Sequence, residues 1–207
     1  MLIFIAVLLG FALGSIPTAY LVGRLHGVDI RKHGSGNVGM TNAWRVLGWK
    51  AAVPVGIVDV LKGYLASAWV SRLGAAGGFD PIYAGILTGA AAILGHVFTP
   101  WLKFRGGKGV ATGAGMLLGL MPLPVGICAG VFATAFFSTW TVSVGSLSAA
   151  AALPLSVFLL DRFTRASYEP ALLWLSVALA AFVFWTHRTN IRRLLRGEEL
   201  SFKRRKG

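Results

Sequence analysis

Long apolar runs alternate with short polar connections rich in glycine. The first run, MLIFIAVLLGFALGSIPTAYLVG, covers residues 1–23, and others lie over 51–71, 82–99, 110–121, 123–139, 142–160 and 170–186. Continuous apolarity of this length predicts helices buried on every side, and a helix rising 1.5 Å per residue needs about 20 residues to cross a hydrocarbon core of roughly 30 Å. The pattern therefore predicts an all-α integral membrane protein of about seven transmembrane helices, forming a single polytopic membrane domain over 1–207. The run 110–121 makes only about 18 Å of helix. Two prolines in MPLP, 121–124, separate it from the next run, so short or half-length helices are expected around 110–139.

Composition narrows the reading. Hydrophobic residues make up 56% of the 207, charged residues only 13%, and mean hydropathy is +0.70, values that exclude an ordinary soluble domain. The leading run has no basic residues before it and reads as a retained span, not a cleaved leader. Cys128 is the single cysteine, so no disulfide framework or cysteine metal site is available.

Charge then sets the orientation. The chain carries 20 Lys+Arg against 7 Asp+Glu, a formal +13. With seven spans and the N-terminus outside, sixteen of the basic residues fall on the cytoplasmic side, in loops 24–50 and 100–109 and in the tail 187–207. Only Arg72, Arg162 and Arg165 fall outside, and Lys62 lies within a span. That is the asymmetry expected of cytoplasmic loops facing anionic headgroups. Six spans would place the basic tail outside. The excess of cations thus needs no nucleic-acid partner.

In this topology three polar segments share one side: HGSGNVGMTNAWR, FRGGKGVATG and HRTNIRRLLRGEE. The first contains G-x-G-x-x-G at Gly34–Gly39, but DIRKH before it is no buried strand, and Asp59 belongs to an apolar run, so a dinucleotide fold is rejected. What remains is a glycine loop whose amides, with Ser35, Asn37, Thr41 and Asn42, suit phosphate or hydroxyl oxygens, with Arg45 nearby. A plain polar turn capping the next helix is the alternative. GGKG fails the Walker A spacing, since Leu102 and Gly109 stand where Gly and Ser/Thr are required. Gly106, Gly107 and Gly109 still let backbone amides approach an oxyanion, Lys108 adds charge, and the helix from Val110 points its N-terminus at the same place. A basic loop that only anchors headgroups has no need of three glycines.

Other ionisable groups are sparse. Asp59 and Lys62 stand three apart on one helix face and can pair, and Lys62 at membrane depth is a candidate for reaching an anion. His96 ends a span and suits proton transfer or packing equally. His187 and Asn190 share a helix face, with Arg188 and Arg192 beside them, and Glu198 and Glu199 can neutralise the tail arginines. The four histidines, without clustered acids or cysteines, make no metal site.

These segments resemble the bacterial integral-membrane glycerol-3-phosphate acyltransferases that use acyl phosphate, the PlsY type, over nearly the whole chain. Gly34-Ser35-Gly36-Asn37-Val38-Gly39-Met40-Thr41-Asn42 with Arg45 is similar to the family's first motif. Gly95-His96 with Lys103 to Thr112 is similar to the second, and His187-Arg188, Asn190-Ile191 and Arg193 through Glu199 to the third. Gly14-Ser15-Ile16-Pro17 and Asp59-Val60-Leu61-Lys62-Gly63 belong to the same likeness. Met40 departs from the small residue usual at its position. The resemblance implies acyl transfer from acyl phosphate to the 1-hydroxyl of glycerol 3-phosphate, giving lysophosphatidic acid and inorganic phosphate, at the cytoplasmic face of a bacterial inner membrane.

Residues and resemblance together nominate Ser35, Asn37, Arg45, Lys108, His187 and Asn190 as catalytic. They nominate Gly36, Thr41, Asn42, Lys62, His96, Arg105, Gly106, Gly107, Gly109, Thr112, Arg188 and Glu199 for substrate binding. An activated acyl donor needs no cofactor, metal or covalent nucleophile when positioning and charge neutralisation suffice. Both substrates, membrane lipids and a monomeric assembly are expected. The competing class is an anion or lipid-phosphate transporter, which also builds sites from glycine loops and half helices. It would need polar groups reachable from both sides, whereas all three segments face one.

Overall fold

The computed structural model describes residues 1–202, and Lys203, Arg204, Arg205 and Lys206 of the predicted basic tail lie outside them. The described residues are helical, with no strand among them. The chain divides at Met121 into two compact units, one over Met1–Met121 and one beginning at Pro122.

In the first unit α1 (Leu2–Ser15) and α2 (Thr18–Leu25) are one apolar stretch broken at Ile16-Pro17, because proline supplies no amide to the helix ladder. The next loop holds a single 3₁₀ turn, Ile30–Lys32, and leads into α3 (Met40–Leu47). α4 (Trp49–Leu65) continues through a π-helical turn at Ala66–Val70 into α5 (Arg72–Ala76). Asp80 caps α6 (Pro81–Val97) by accepting the amides of Ile82 and Tyr83, and α7 (Val110–Leu120) ends the unit. α6 packs along α1 and α7 along α4. Both contacts are backbone-close: a side chain at Gly14 would strike Ala92 of α6, and one at Gly63 would strike the Thr112 carbonyl of α7. Beneath the loops a core of Ala19, Ile30, Val38, Ala43, Ala52, Val55 and Leu102 ties α2, α3 and α4 to both glycine segments.

The second unit is a hairpin of α8 (Pro122–Thr139) and α9 (Val142–Phe163), with α10 (Pro170–Thr186) against α9 and a short α11 (Arg188–Leu195). α10 and α11 meet at a bend of 60°. Trp140, at φ 56°, turns the hairpin, and its carbonyl accepts the Phe202 amide at 2.8 Å and the Ser201 hydroxyl at 3.1 Å.

Among the described residues five stretches are long and apolar enough to cross a membrane, and a sixth is added when the bent α10–α11 pair is taken as one span. The seventh predicted run is α7, whose 11 residues reach only about half the hydrocarbon thickness. Its neighbour α8 is not short, as the pattern had suggested: MPLP ends α7 at Met121, and Pro122 then starts a helix of 18 residues. Proline is well tolerated in a first helical turn, where its missing amide has no partner to lose.

Candidate functional site

The first glycine segment is organised from within. Asn42, fully buried at the start of α3, accepts the Ser35 amide at 2.8 Å on Oδ1 and donates Nδ2 to the carbonyls of Ile30 at 3.0 Å and His33 at 3.1 Å. Its amide is thereby spent on shaping the loop, not on presenting a ligand group. Gly34, at φ 60°, has no room for a side chain, which would strike Asn42 Oδ1. The Ser35 hydroxyl accepts the Asn37 amide at 3.4 Å, and Ser35, Gly36, Asn37, Thr41 and Arg45 are all partly exposed. Met40, the residue out of keeping with its motif, packs its thioether where a side chain at Gly56 of α4 would stand, so the extra bulk has a place.

At the near end of this loop Asp29 takes Arg31 in a fork, with Nε at 2.9 Å and Nη2 at 2.7 Å. That hydrogen-bonded guanidinium holds the Asp29 carboxyl well below the usual carboxylate range. Arg31 also lies over the Tyr20 ring, 4.8 Å from its centroid.

The second segment folds back on the end of α6. After the turn Pro100–Leu102, Lys103 and Phe104 both adopt left-handed backbone, at φ 54° and 60°. The Gly106 amide donates to Val97 O at 2.9 Å and the Gly107 amide to His96 O at 3.1 Å. Two of the three expected nest amides are thus committed to α6. The glycines serve close approach instead, since a side chain at Gly106 would strike the His96 carbonyl. Gly109, at φ 82°, delivers the chain into α7, whose opening amides have no partner within the helix by construction. Lys108 is half-buried just ahead of them. Thr112, by contrast, is fully buried, and its hydroxyl has no hydrogen-bond partner among the described residues.

The two segments meet. Val38 O of the first faces Gly107 of the second. Together they line an open cleft of about 660 Å³ walled by Asp29, Arg31, Lys32, Gly36, Val38, Leu102, Lys103 and Arg105. Four cations against one carboxylate, itself engaged by Arg31, make this an anion-attracting cleft.

Lys62 and His96 sit apart from it. Lys62 Nζ is 2.9 Å from Asp59 Oδ1 and 3.0 Å from Ile16 O, and its side chain is 2% exposed, so it reaches neither loop. His96 Nδ1 is 3.7 Å from the same Asp59 oxygen, which also accepts the Thr18 hydroxyl at 3.2 Å.

In the second unit the third segment forms its own network. Glu199 accepts Asn190 Nδ2 at 2.6 Å, Arg193 Nε at 2.6 Å and the Ser143 hydroxyl at 2.9 Å. Burial alone would raise this carboxyl, but the hydrogen bonds from Arg193, Asn190 and Ser143 outweigh it and hold Glu199 below its ordinary value. His187, buried at the α10–α11 bend, has Nδ1 2.9 Å from Val183 O. A carbonyl only accepts, so Nδ1 is the donor in this contact. Arg188 is exposed, donates to Trp185 O at 3.1 Å and lies over the Trp185 ring. Arg193 was part of the third motif but was not nominated as a site residue, and Ser143 was not noticed from sequence, since a serine in an apolar helix gives no local signal.

The family model described as glycerol-3-phosphate acyltransferase matches residues 4–197. The chain belongs to the glycerol-3-phosphate acyltransferase family. A glycerol-3-phosphate acyltransferase of Chlorobaculum parvum is 42% identical over 99% of this chain and all of its own, and one of Salinibacter ruber is 42% identical over 94% and 90%. Among solved structures, PlsY, an integral membrane glycerol 3-phosphate acyltransferase, superposes in its glycerol 3-phosphate form with a TM-score of 0.86 at 34% identity, covering 97% of this chain and 95% of that one. Its lysophosphatidic acid form superposes at 0.84. This acyltransferase is accordingly a multi-pass membrane enzyme of the PlsY type.

Proposed function

We propose that this enzyme transfers a fatty acyl group from acyl phosphate to the 1-hydroxyl of glycerol 3-phosphate at the cytoplasmic face of the bacterial inner membrane. The observation that carries the reading is the basic cleft on which both glycine segments converge, because both substrates are phosphates. Arg105 of the cleft, with Arg45, Lys108 and the opening amides of α7 on the same two segments, holds phosphate oxygens, and Gly36 of the cleft, with Ser35, Asn37 and Thr41 of its loop, orients glycerol 3-phosphate. Asn190, His187 and Arg188 of the third segment are assigned to the same reaction by the resemblance, with Glu199 holding Asn190 in place.

The glycerol hydroxyl oxygen bonds to the acyl carbon, the carbon–oxygen bond to phosphate breaks, and its electron pair leaves with inorganic phosphate. The hydroxyl proton passes to a phosphate oxygen of the substrate. Support for this acceptor comes from the scarcity of unengaged carboxylates: Asp29, Asp59 and Glu199 are each ion-paired, to Arg31, Lys62 and Arg193, which leaves Glu198, exposed on the tail, as the other carboxylate of the three segments. Positioning and neutralisation of phosphate charge supply the rate.

The two units form one working membrane domain and act as a monomer, with seven membrane-embedded stretches, α7 included, the N-terminus outside and the tail inside. Labelling of a Lys103→Cys, Cys128→Ala variant from the outer face of intact cells would contradict that orientation.

The deciding experiment is phosphate release by the detergent-purified protein from palmitoyl phosphate, with and without glycerol 3-phosphate, alongside Lys108→Ala. Release that requires glycerol 3-phosphate, yields the acylated product and is lost in the variant is the expected result. Binding of either phosphate compound without release would return the transporter reading.

A further inference from the structure

Asp59, Lys62 and His96 have no part in the chemistry above, yet an ionised pair buried at membrane depth demands a reason. Stability is a poor one, because a buried ion pair replaced by apolar residues of like volume commonly leaves a protein as stable or more so. The contacts of the three residues offer another. The break at Ile16-Pro17 exposes two carbonyls of the first stretch to neighbours. Lys62 Nζ takes Ile16 O at 3.0 Å, and the Thr99 hydroxyl takes Ser15 O at 2.6 Å. Trp101 Nε1 donates to Ser15 Oγ at 3.2 Å, so the start of the second glycine segment is clamped to the same break. Asp59 neutralises Lys62, receives Thr18 from the far side of the break, and faces His96. His96 then carries the far end of the segment, its carbonyl holding the Gly107 amide and its imidazole Nε2 filling the space against Gly107.

We propose that the buried Asp59–Lys62 pair and His96 are positioning residues: they fix residues 99–109 at both ends, and hence Lys108 and the start of α7, without touching either substrate. The role of the loop in catalysis rests on the acyltransferase reading; its anchoring does not. This account differs from a substrate-binding role for Lys62 and His96, and it gives the Gly14-Ser15-Ile16-Pro17 and Asp59–Lys62 segments a shared task.

The test uses the full-length protein in detergent. Asp59→Asn/Lys62→Gln removes both charges together, leaving hydrogen-bonding groups and no stranded ion, and His96→Ala removes the ring beneath Gly107 with the pair intact. In each, kcat is expected to fall by about tenfold or more, since misplacement of reacting groups by about 1 Å can cost 100-fold, while KM for glycerol 3-phosphate changes by less than about threefold. Trypsin cleavage after Lys103 and Arg105 should accelerate by about fivefold or more relative to cleavage after Arg196, because local opening is what exposes a loop to protease. A fold strut with no bearing on the loop would not move that ratio. Unchanged cleavage ratios in both variants overturn the proposal, as does faster cleavage with kcat intact. If the double variant is not recovered folded, His96→Ala decides alone. A wild type that transfers no acyl group refutes the acyltransferase reading instead, and the cleavage ratio still decides the anchoring.

Discussion

The imidazole of His96 lies so close to the α-carbon of Gly107 that the first carbon of any side chain there would overlap Nε2, and the same carbon would meet Val38 O. One glycine thus permits the contact between both glycine segments and the end of α6. Gly107→Ala should lower kcat/KM by at least about tenfold, as reacting groups shift on the ångström scale. Gly126→Ala, at a position with nothing within 4 Å of the added carbon, should stay within about twofold of wild type in the same assay.

Lys62→Met alone leaves the buried Asp59 carboxyl without its counter-charge. Breaking a buried pair from one side typically costs about 3–5 kcal/mol, so the single variant should be the least stable of the set, with Asp59→Asn/Lys62→Gln clearly above it. Thermal denaturation in detergent reads the order, and a single variant as stable as the double would contradict the pairing.

Glu199 makes stability depend on pH. Its carboxyl is held below the ordinary value in the folded protein, so its contribution is complete above the unfolded pKa, about 4.3, and is lost as pH falls through the lower folded value. The wild-type thermal midpoint should therefore drop as pH is lowered from about 4.3, with Glu199→Gln showing a smaller drop. Glu199→Ala should cost about 1–3 kcal/mol at neutral pH, the usual worth of hydrogen bonds to a charged group. A parallel pH dependence in wild type and Glu199→Gln would remove the carboxylate from this account.

The cleft cations are exposed and should act through the field. Neutralising Lys103 and Arg105 together, by Lys103→Gln/Arg105→Gln, should raise KM for glycerol 3-phosphate severalfold and change kcat less. Wild-type kcat/KM should fall between about 0.01 and 0.15 M salt, where the screening length shortens from roughly 30 to 8 Å, and the variant should fall less steeply. Equal salt slopes would show that the cleft does not attract the substrate.

Much of this was legible in the amino-acid order. Apolar runs located α6, α9 and α10 closely, since lipid-facing helices carry their signal residue by residue. Glycine with a nearby cation, Arg45 for the first loop and Lys108 for the second, marked the two loops, and Asp59 with Lys62 declared its pairing by spacing. What the glycines at 106 and 107 do was read differently from sequence, because close approach and amide presentation require the same residue. Asn42 looked like a ligand group, although a buried amide saturated by its own loop has the same neighbours in sequence. The Ser15–Ile16 carbonyls and Ser143 were invisible: their partners are tens of residues away and carry no local pattern. The count of spans differed at α7, where apolarity is sufficient and length is not.

The shortness of α7 bears on how the enzyme is made. Eleven residues, apolar but for Thr112 and flanked by a basic glycine loop, are a poor substrate for independent insertion, which favours about 20. The surface that accepts α7 is α4, with Gly63 against Thr112 and Gly115 against Val60, and α4 precedes it in the chain. Biogenesis in the N-to-C direction therefore presents the docking face before the segment that cannot enter lipid alone, and the glycine loop ahead of α7 matures only once that late partition is complete.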